Sequence, residues 1–99
     1  MQPPEGWKQL VQLLVRVQNE QHMDELLKLM FTLHEQESLV NRYRIVHALL
    51  CSNKPQRHIA NSLQVSIAKV TAGSNELKRV SGSLKQLLRE HMVALSQKP

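Results

Sequence analysis

The sequence is poor in the features that stabilise a small protein by anything other than packing. Among 99 residues there is one cysteine, Cys51, which excludes an internal disulfide and fits a reducing compartment. Because it ends the apolar run Ala48-Leu49-Leu50, Cys51 reads as a small buried residue. Only three aromatics are present, Trp7, Phe31 and Tyr43, so the core must be aliphatic. None of them falls in residues 52–99, which argues against the aromatic platforms on which single-stranded RNA readers stack bases. With three glycines there is no Gly-rich phosphate loop. The five histidines form no pair at i,i+4, so neither a metal nor an enzyme is expected. Glu35 and Glu37 read as first-turn helix charges rather than a catalytic pair. No apolar stretch approaches the roughly 20 residues of a membrane helix. Nor does Met1-Gln2-Pro3-Pro4-Glu5 open a secretory signal, and the expectation is a cytoplasmic protein with no membrane partner.

Acidic residues are also scarce in one half of the chain. Residues 1–51 carry five Lys/Arg against six Asp/Glu, whereas residues 52–99 carry eight against two. A basic half joined to a balanced half suggests a polyanionic partner, since each phosphate neutralised releases condensed counterions.

Elsewhere the pattern is helical, with no sustained period-two alternation. Trp7, Leu10, Val11, Leu14 and Val17 repeat at three- and four-residue steps, and Leu13 and Val15 widen that face almost all round. A helix this apolar needs burial on several sides or a second chain. A short helix is expected at about Asp24–Met30. Thr32-Leu33-His34-Glu35 then forms a capping box for a third helix with Leu39, Tyr43, Val46 and Leu50 on one face. That helix should stop near Ser52-Asn53, with Pro55 in the first turn of the next. Ser83-Leu84-Lys85-Gln86 is a second capping-box candidate, opening a last helix with Leu84, Leu87, Leu88, Met92 and Leu95 at core spacing. The expected fold is all-α with six helices in a single domain, 1–99. Residues 1–52 supply dimerisation core helices, 53–79 a helix-turn-helix and 80–99 a C-terminal core helix.

Residues 56–71 are the most specific part of the sequence. Two short helices crossing steeply need a small residue at their contact, supplied by Ala60, and apolar residues at Ile59, Leu63, Val65 and Val70. Ser66 stands where it can cap the second helix. Gln64 occupies the turn position that usually carries glycine, which implies mild strain or a slightly different turn. In a helix-turn-helix the second helix enters the major groove N-terminus first. Here it would expose Ile67, Ala68, Thr71 and Asn75 to base edges and thymine methyls, with Lys69, Lys78 and Arg79 reaching phosphates. Gln56 and Arg57, opening the first helix, are placed for a guanine edge or a phosphate.

From about Leu26 to Lys78 the chain resembles the bacterial tryptophan repressor family. The resemblance is carried by Leu29-Met30-Phe31-Thr32, Arg42 with Arg44-Ile45-Val46, Leu49-Leu50, Gln56-Arg57, Ile67-Ala68, Thr71 and the run Gly73-Ser74-Asn75 with Leu77-Lys78. It implies an intertwined homodimer on a palindromic, double-stranded operator, with half-sites about one helical turn apart. It also implies no cofactor other than L-tryptophan, or a related indole or amino-acid ligand, as corepressor. Arg42 matches the arginine that packs on the indole face. Thr32 and the carbonyls of Leu29 and Phe31 match the part contributed by the partner chain, and Gly73 the glycine that lets the ligand approach the reading helix.

Three positions depart from the family. Ala72 replaces the arginine that covers the indole's other face and pairs with the carboxylate, Glu76 replaces a serine near the amino group, and Lys69 replaces a threonine beside the carboxylate. Loss of the arginine alone costs roughly 2–4 kcal/mol if the carboxylate is left unpartnered. Two readings remain open: a site rebuilt around Lys69 and Glu76, or a decayed site in a ligand-independent DNA-binding protein. A basic RNA-binding helical module and a helical protein-interaction bundle are the alternatives outside that class.

Overall fold

The computed structural model describes residues 2–96, and the last few residues of the expected C-terminal segment, 97–99, lie outside them. Among the described residues there are six α-helices and no strand. They are α1 (Trp7–Arg16), α2 (Glu20–Met30), α3 (Leu33–Cys51), α4 (Gln56–Leu63), α5 (Ile67–Arg79) and α6 (Gly82–Ser96). No helix among them is long and apolar enough to cross a membrane. The chain divides into two units, Met1–Gln36 and Glu37–Pro99.

In the first unit α2 starts four residues before the expected Asp24. The Asn19 side chain accepts a hydrogen bond from the His22 amide at 2.7 Å and caps the helix there. The intervening turn Glu20-Gln21-His22 has no apolar residue to reveal a period. Neither α1 nor α2 contains a fully buried residue, and Val15 and Leu29 are 73% and 77% exposed. The capping box at Thr32 forms as expected. Thr32 Oγ1 accepts from the Glu35 amide at 3.2 Å, and the Glu35 carboxylate accepts from the Thr32 amide at 2.8 Å. The Thr32 amide, and after it the Thr32 side chain, hold the Glu35 carboxyl below its ordinary range by favouring the charged form.

The second unit is built around the short helices. Ile45, Ile59, Ala60 and Val70 form its buried core, with Ala48, Leu49, Leu63 and Val65 packed against it. The spacing of Ile45, Ala48 and Leu49 puts one stripe of α3 on that core. Leu39 and Tyr43, on the face that repeats through Val46 and Leu50, lie on another stripe and are exposed. α3 is therefore apolar on two sides, and only one side is used within this unit.

Three smaller expectations also change. Cys51 is exposed, because the last turn of α3 carries it off the core stripe; it lines an open cavity of about 220 Å³ with His47, His58 and Leu63. Pro55 stands just before α4 rather than within its first turn, its carbonyl accepting from the Ile59 amide at 3.1 Å. The cap of α6 is Ser81, not Ser83. The Leu84 amide donates to Ser81 Oγ at 3.2 Å and the Lys85 amide to its carbonyl at 3.1 Å, so the helix begins earlier. Met92 of α6 is buried, whereas Leu84, Leu87 and Leu95 remain exposed.

Candidate nucleic-acid interface

α4 and α5 meet through the smallest available side chain. Ala60 is 5% exposed at the crossing, and Val70 is completely buried between its neighbours. The turn closes through a left-handed residue: Gln64 has φ 58° and ψ 44°, the one non-glycine residue at positive φ among those described. The Gln64 and Val65 amides return to the carbonyls at the end of α4, Val65 reaching Ala60 at 3.1 Å. This is the hydrogen-bond closure usually made with glycine. Ser66 Oγ then accepts from the Lys69 amide at 3.2 Å and starts α5. Backbone and side chains thus produce the helix-turn-helix expected from the spacing.

Along α5 the residues Ile67, Ala68, Lys69, Thr71, Asn75 and Lys78 are all exposed, as is Arg57 on α4. Gln56 is half-buried. Its side-chain oxygen accepts a hydrogen bond from the Thr71 hydroxyl at 2.8 Å, tying the first residue of α4 to the middle of α5. The cations Lys69, Lys78 and Arg79 accompany one acid on α5, Glu76, which lies 3.7 Å from Arg79.

The residues assigned to a ligand fall into two groups. Arg42 and Lys69 line one cavity of about 130 Å³ with Ser38, Asn41 and Ile45. Gly73 is buried nearby, and a β-carbon there would lie 2.9 Å from Ile45 Cγ2 and 4.0 Å from Arg42 Cδ. Its lack of a side chain lets α5 approach α3 closely, a packing role independent of any ligand. Glu76 is not among the lining residues and faces Arg79 instead. Leu29, Phe31 and Thr32 belong to the first unit, where the Phe31 carbonyl accepts from Gln36 Nε2 at 2.9 Å. The Thr32 hydroxyl is engaged with Glu35, its oxygen accepting from the Glu35 amide at 3.2 Å. Sequence reasoning missed Ser38, Asn41 and Ile45. Their offsets from Arg42, four back, one back and three forward, include the i±3 and i±4 steps that would have found two of them. No cluster of three metal-ligating side chains occurs among the described residues.

Comparison with known proteins adds sequence-wide evidence. The family model described as "Trp repressor protein" matches residues 5–92. A "Trp operon repressor homolog" of Photobacterium profundum is 43% identical over 82 residues, which cover 83% of this chain and 80% of the relative. The homolog of Vibrio cholerae serotype O1 is 45% identical over 85 residues, covering 85% and 82%. That of Chlamydia trachomatis serovar D is 34% identical over 91 residues, covering 92% and 97%.

Proposed function

The chain belongs to the Trp repressor protein family, and from that premise we propose that it is a dimeric repressor that binds a palindromic operator through the major groove. Members of this family are DNA-binding regulators, not enzymes. The observation that carries the proposal is the α4–turn–α5 unit. It is closed around Ala60 and Val70 and exposes Ile67, Ala68, Thr71 and Asn75 beside Lys69 and Lys78. Apolar and hydroxyl groups suit thymine methyls and base edges, and the lysines suit phosphates.

The proposed corepressor is L-tryptophan or a related indole or amino acid. Supporting it, Arg42 and Lys69 line the same cavity, one to face an aromatic ring and the other to meet a carboxylate. Glu76 is the proposed partner for the ligand's ammonium. Its pairing with Arg79 is long and solvent-exposed, and such pairs contribute about 0–1 kcal/mol, so it is readily given up. A cavity of about 130 Å³ takes a ring but not a whole tryptophan. In the proposed dimer, Leu29, Phe31 and Thr32 of the other protomer complete it. The second reading is ligand-independent binding, favoured by Ala72, which offers no charge where the family has arginine.

Titrating a labelled palindromic duplex with and without L-tryptophan, at one fixed salt concentration, separates the two. Tighter binding with tryptophan supports the corepressor reading, and equal binding supports the ligand-independent one. Lys69→Ala should then abolish the tryptophan effect while leaving the salt slope unchanged. A shallower slope with no effect on ligand would instead assign Lys69 to a phosphate.

A further inference from the structure

The hydrogen bond between Gln56 and Thr71 fixes which end of an amide the reading head presents. A glutamine that reads adenine uses both ends at once, the oxygen accepting from N6 and the NH₂ donating to N7. Gln56 is less free to do so, because one lone pair of its Oε1 already accepts the Thr71 hydroxyl proton at 2.8 Å and the amide is held in that orientation. What remains unused is Nε2 with its two donors, against a single Oε1 lone pair, so donors predominate. Phosphate oxygens are acceptors only, so they match the two free donors, whereas a bidentate adenine contact would need Oε1 to accept from N6 through its remaining lone pair while Thr71 holds the other.

Building on the DNA-binding reading above, we propose that Thr71 is a positioning residue that turns Gln56 into a phosphate anchor and removes it from base reading. The same bond determines what Thr71 offers. Its proton is committed to Gln56, so towards DNA it presents only oxygen lone pairs and its methyl group. The pair also spans α4 and α5, so a phosphate held by Gln56 would register both helices against the backbone together. Base selection by α4 then falls to Arg57, the exposed neighbour of Gln56.

The test uses the full chain and a duplex selected by the wild-type protein from a randomised library, together with its single-base-pair variants. Gln56→Ala and Thr71→Val should each weaken binding by about tenfold, equally across all the variants, with an unchanged salt slope because the lost group is neutral. The double variant should bind no more weakly than either single one, and Thr71→Ser should restore wild-type affinity. Additive losses would overturn the proposal. So would a changed preference at one base pair in either variant, which would show base reading by that residue. If the wild type selects no duplex at all, the DNA-binding reading fails and the proposal with it. Selection by the wild type with additive variants would overturn the positioning role alone. A thermal melt checks that Thr71→Val is folded; if it is not, the comparison of Gln56→Ala with Thr71→Ser carries the test, because Ser keeps the hydroxyl and must match wild type.

Discussion

Two single residues in the second unit are held where side chains are poorly tolerated or forbidden. At φ 58° the Cβ of Gln64 crowds the following carbonyl, at a cost of about 1–2 kcal/mol. Gln64→Gly removes that cost but adds about 0.4–1 kcal/mol of unfolded-chain freedom. The net expectation is a gain of about 0.5–1 kcal/mol, read as a higher denaturation midpoint with an unchanged slope. Gly73 is the opposite case. The Cβ of an alanine would come 2.9 Å from Ile45 Cγ2, and Ile45 is 1% exposed and attached there at its branch, so it has little room to yield. Overpacking of about 2 kcal/mol then exceeds the roughly 1 kcal/mol that alanine gains over glycine in a helix. Gly73→Ala should therefore lower the melting temperature even in the absence of any ligand.

At the scale of the element, the helix ends were legible where a cap and an apolar period coincide. Thr32-x-x-Glu35 and Ser66 are of this kind, and both cap as their spacing implies. Asn19 caps a polar first turn with no period beside it and was missed, whereas the cap at Ser81 was displaced by two residues because a second serine, Ser83, stands nearer the apolar run. The core of α4 and α5 was readable because its members contact one another over a few residues. The working face of α3 was not, since a helix with two apolar stripes gives no local sign of which one its own chain uses. For the candidate site the exposed side chains followed from the helical period. The Thr71–Gln56 bond joins residues fifteen apart and has no signature in spacing alone. The Thr32 cap also carries a pH dependence. Glu35 has a lowered carboxyl pKa in the folded chain, so below the ordinary glutamate range the unfolded state binds the proton more readily. Its contribution is present above that range and is lost as pH falls through the folded value. Glu35→Gln keeps an acceptor for the Thr32 amide without the charge, and should flatten the acid limb of a stability-versus-pH curve.

For the whole molecule the dominant fact is the apolar surface that one chain leaves in water. Trp7, Val11, Leu13 and Val15 on α1 are exposed, as are Leu29, Met30 and Leu33, well beyond the scattered apolar residues of an ordinary monomer. In the proposed dimer a second copy covers this surface. Val15→Asp is a demanding test, because Val15 is 73% exposed and the substitution would be nearly neutral in a monomer. In the dimer it should raise the dissociation constant by about tenfold or more, measured by sedimentation, and make the melting temperature fall on dilution.

The core of the reading head draws every member from the stretch between Ile45 and Val70. Contacts so close along the chain close small loops, and small loops form quickly. None of these contacts requires another molecule, whereas the exposed faces of α1 and α2 would have to wait for an encounter. After dilution from denaturant, the head would therefore form in an early phase whose rate is independent of protein concentration. A slower phase would follow, its rate rising with concentration, in which the remaining apolar surface is covered. A ribosome-fresh chain would thus hold a formed reading head before it had the symmetry to use it.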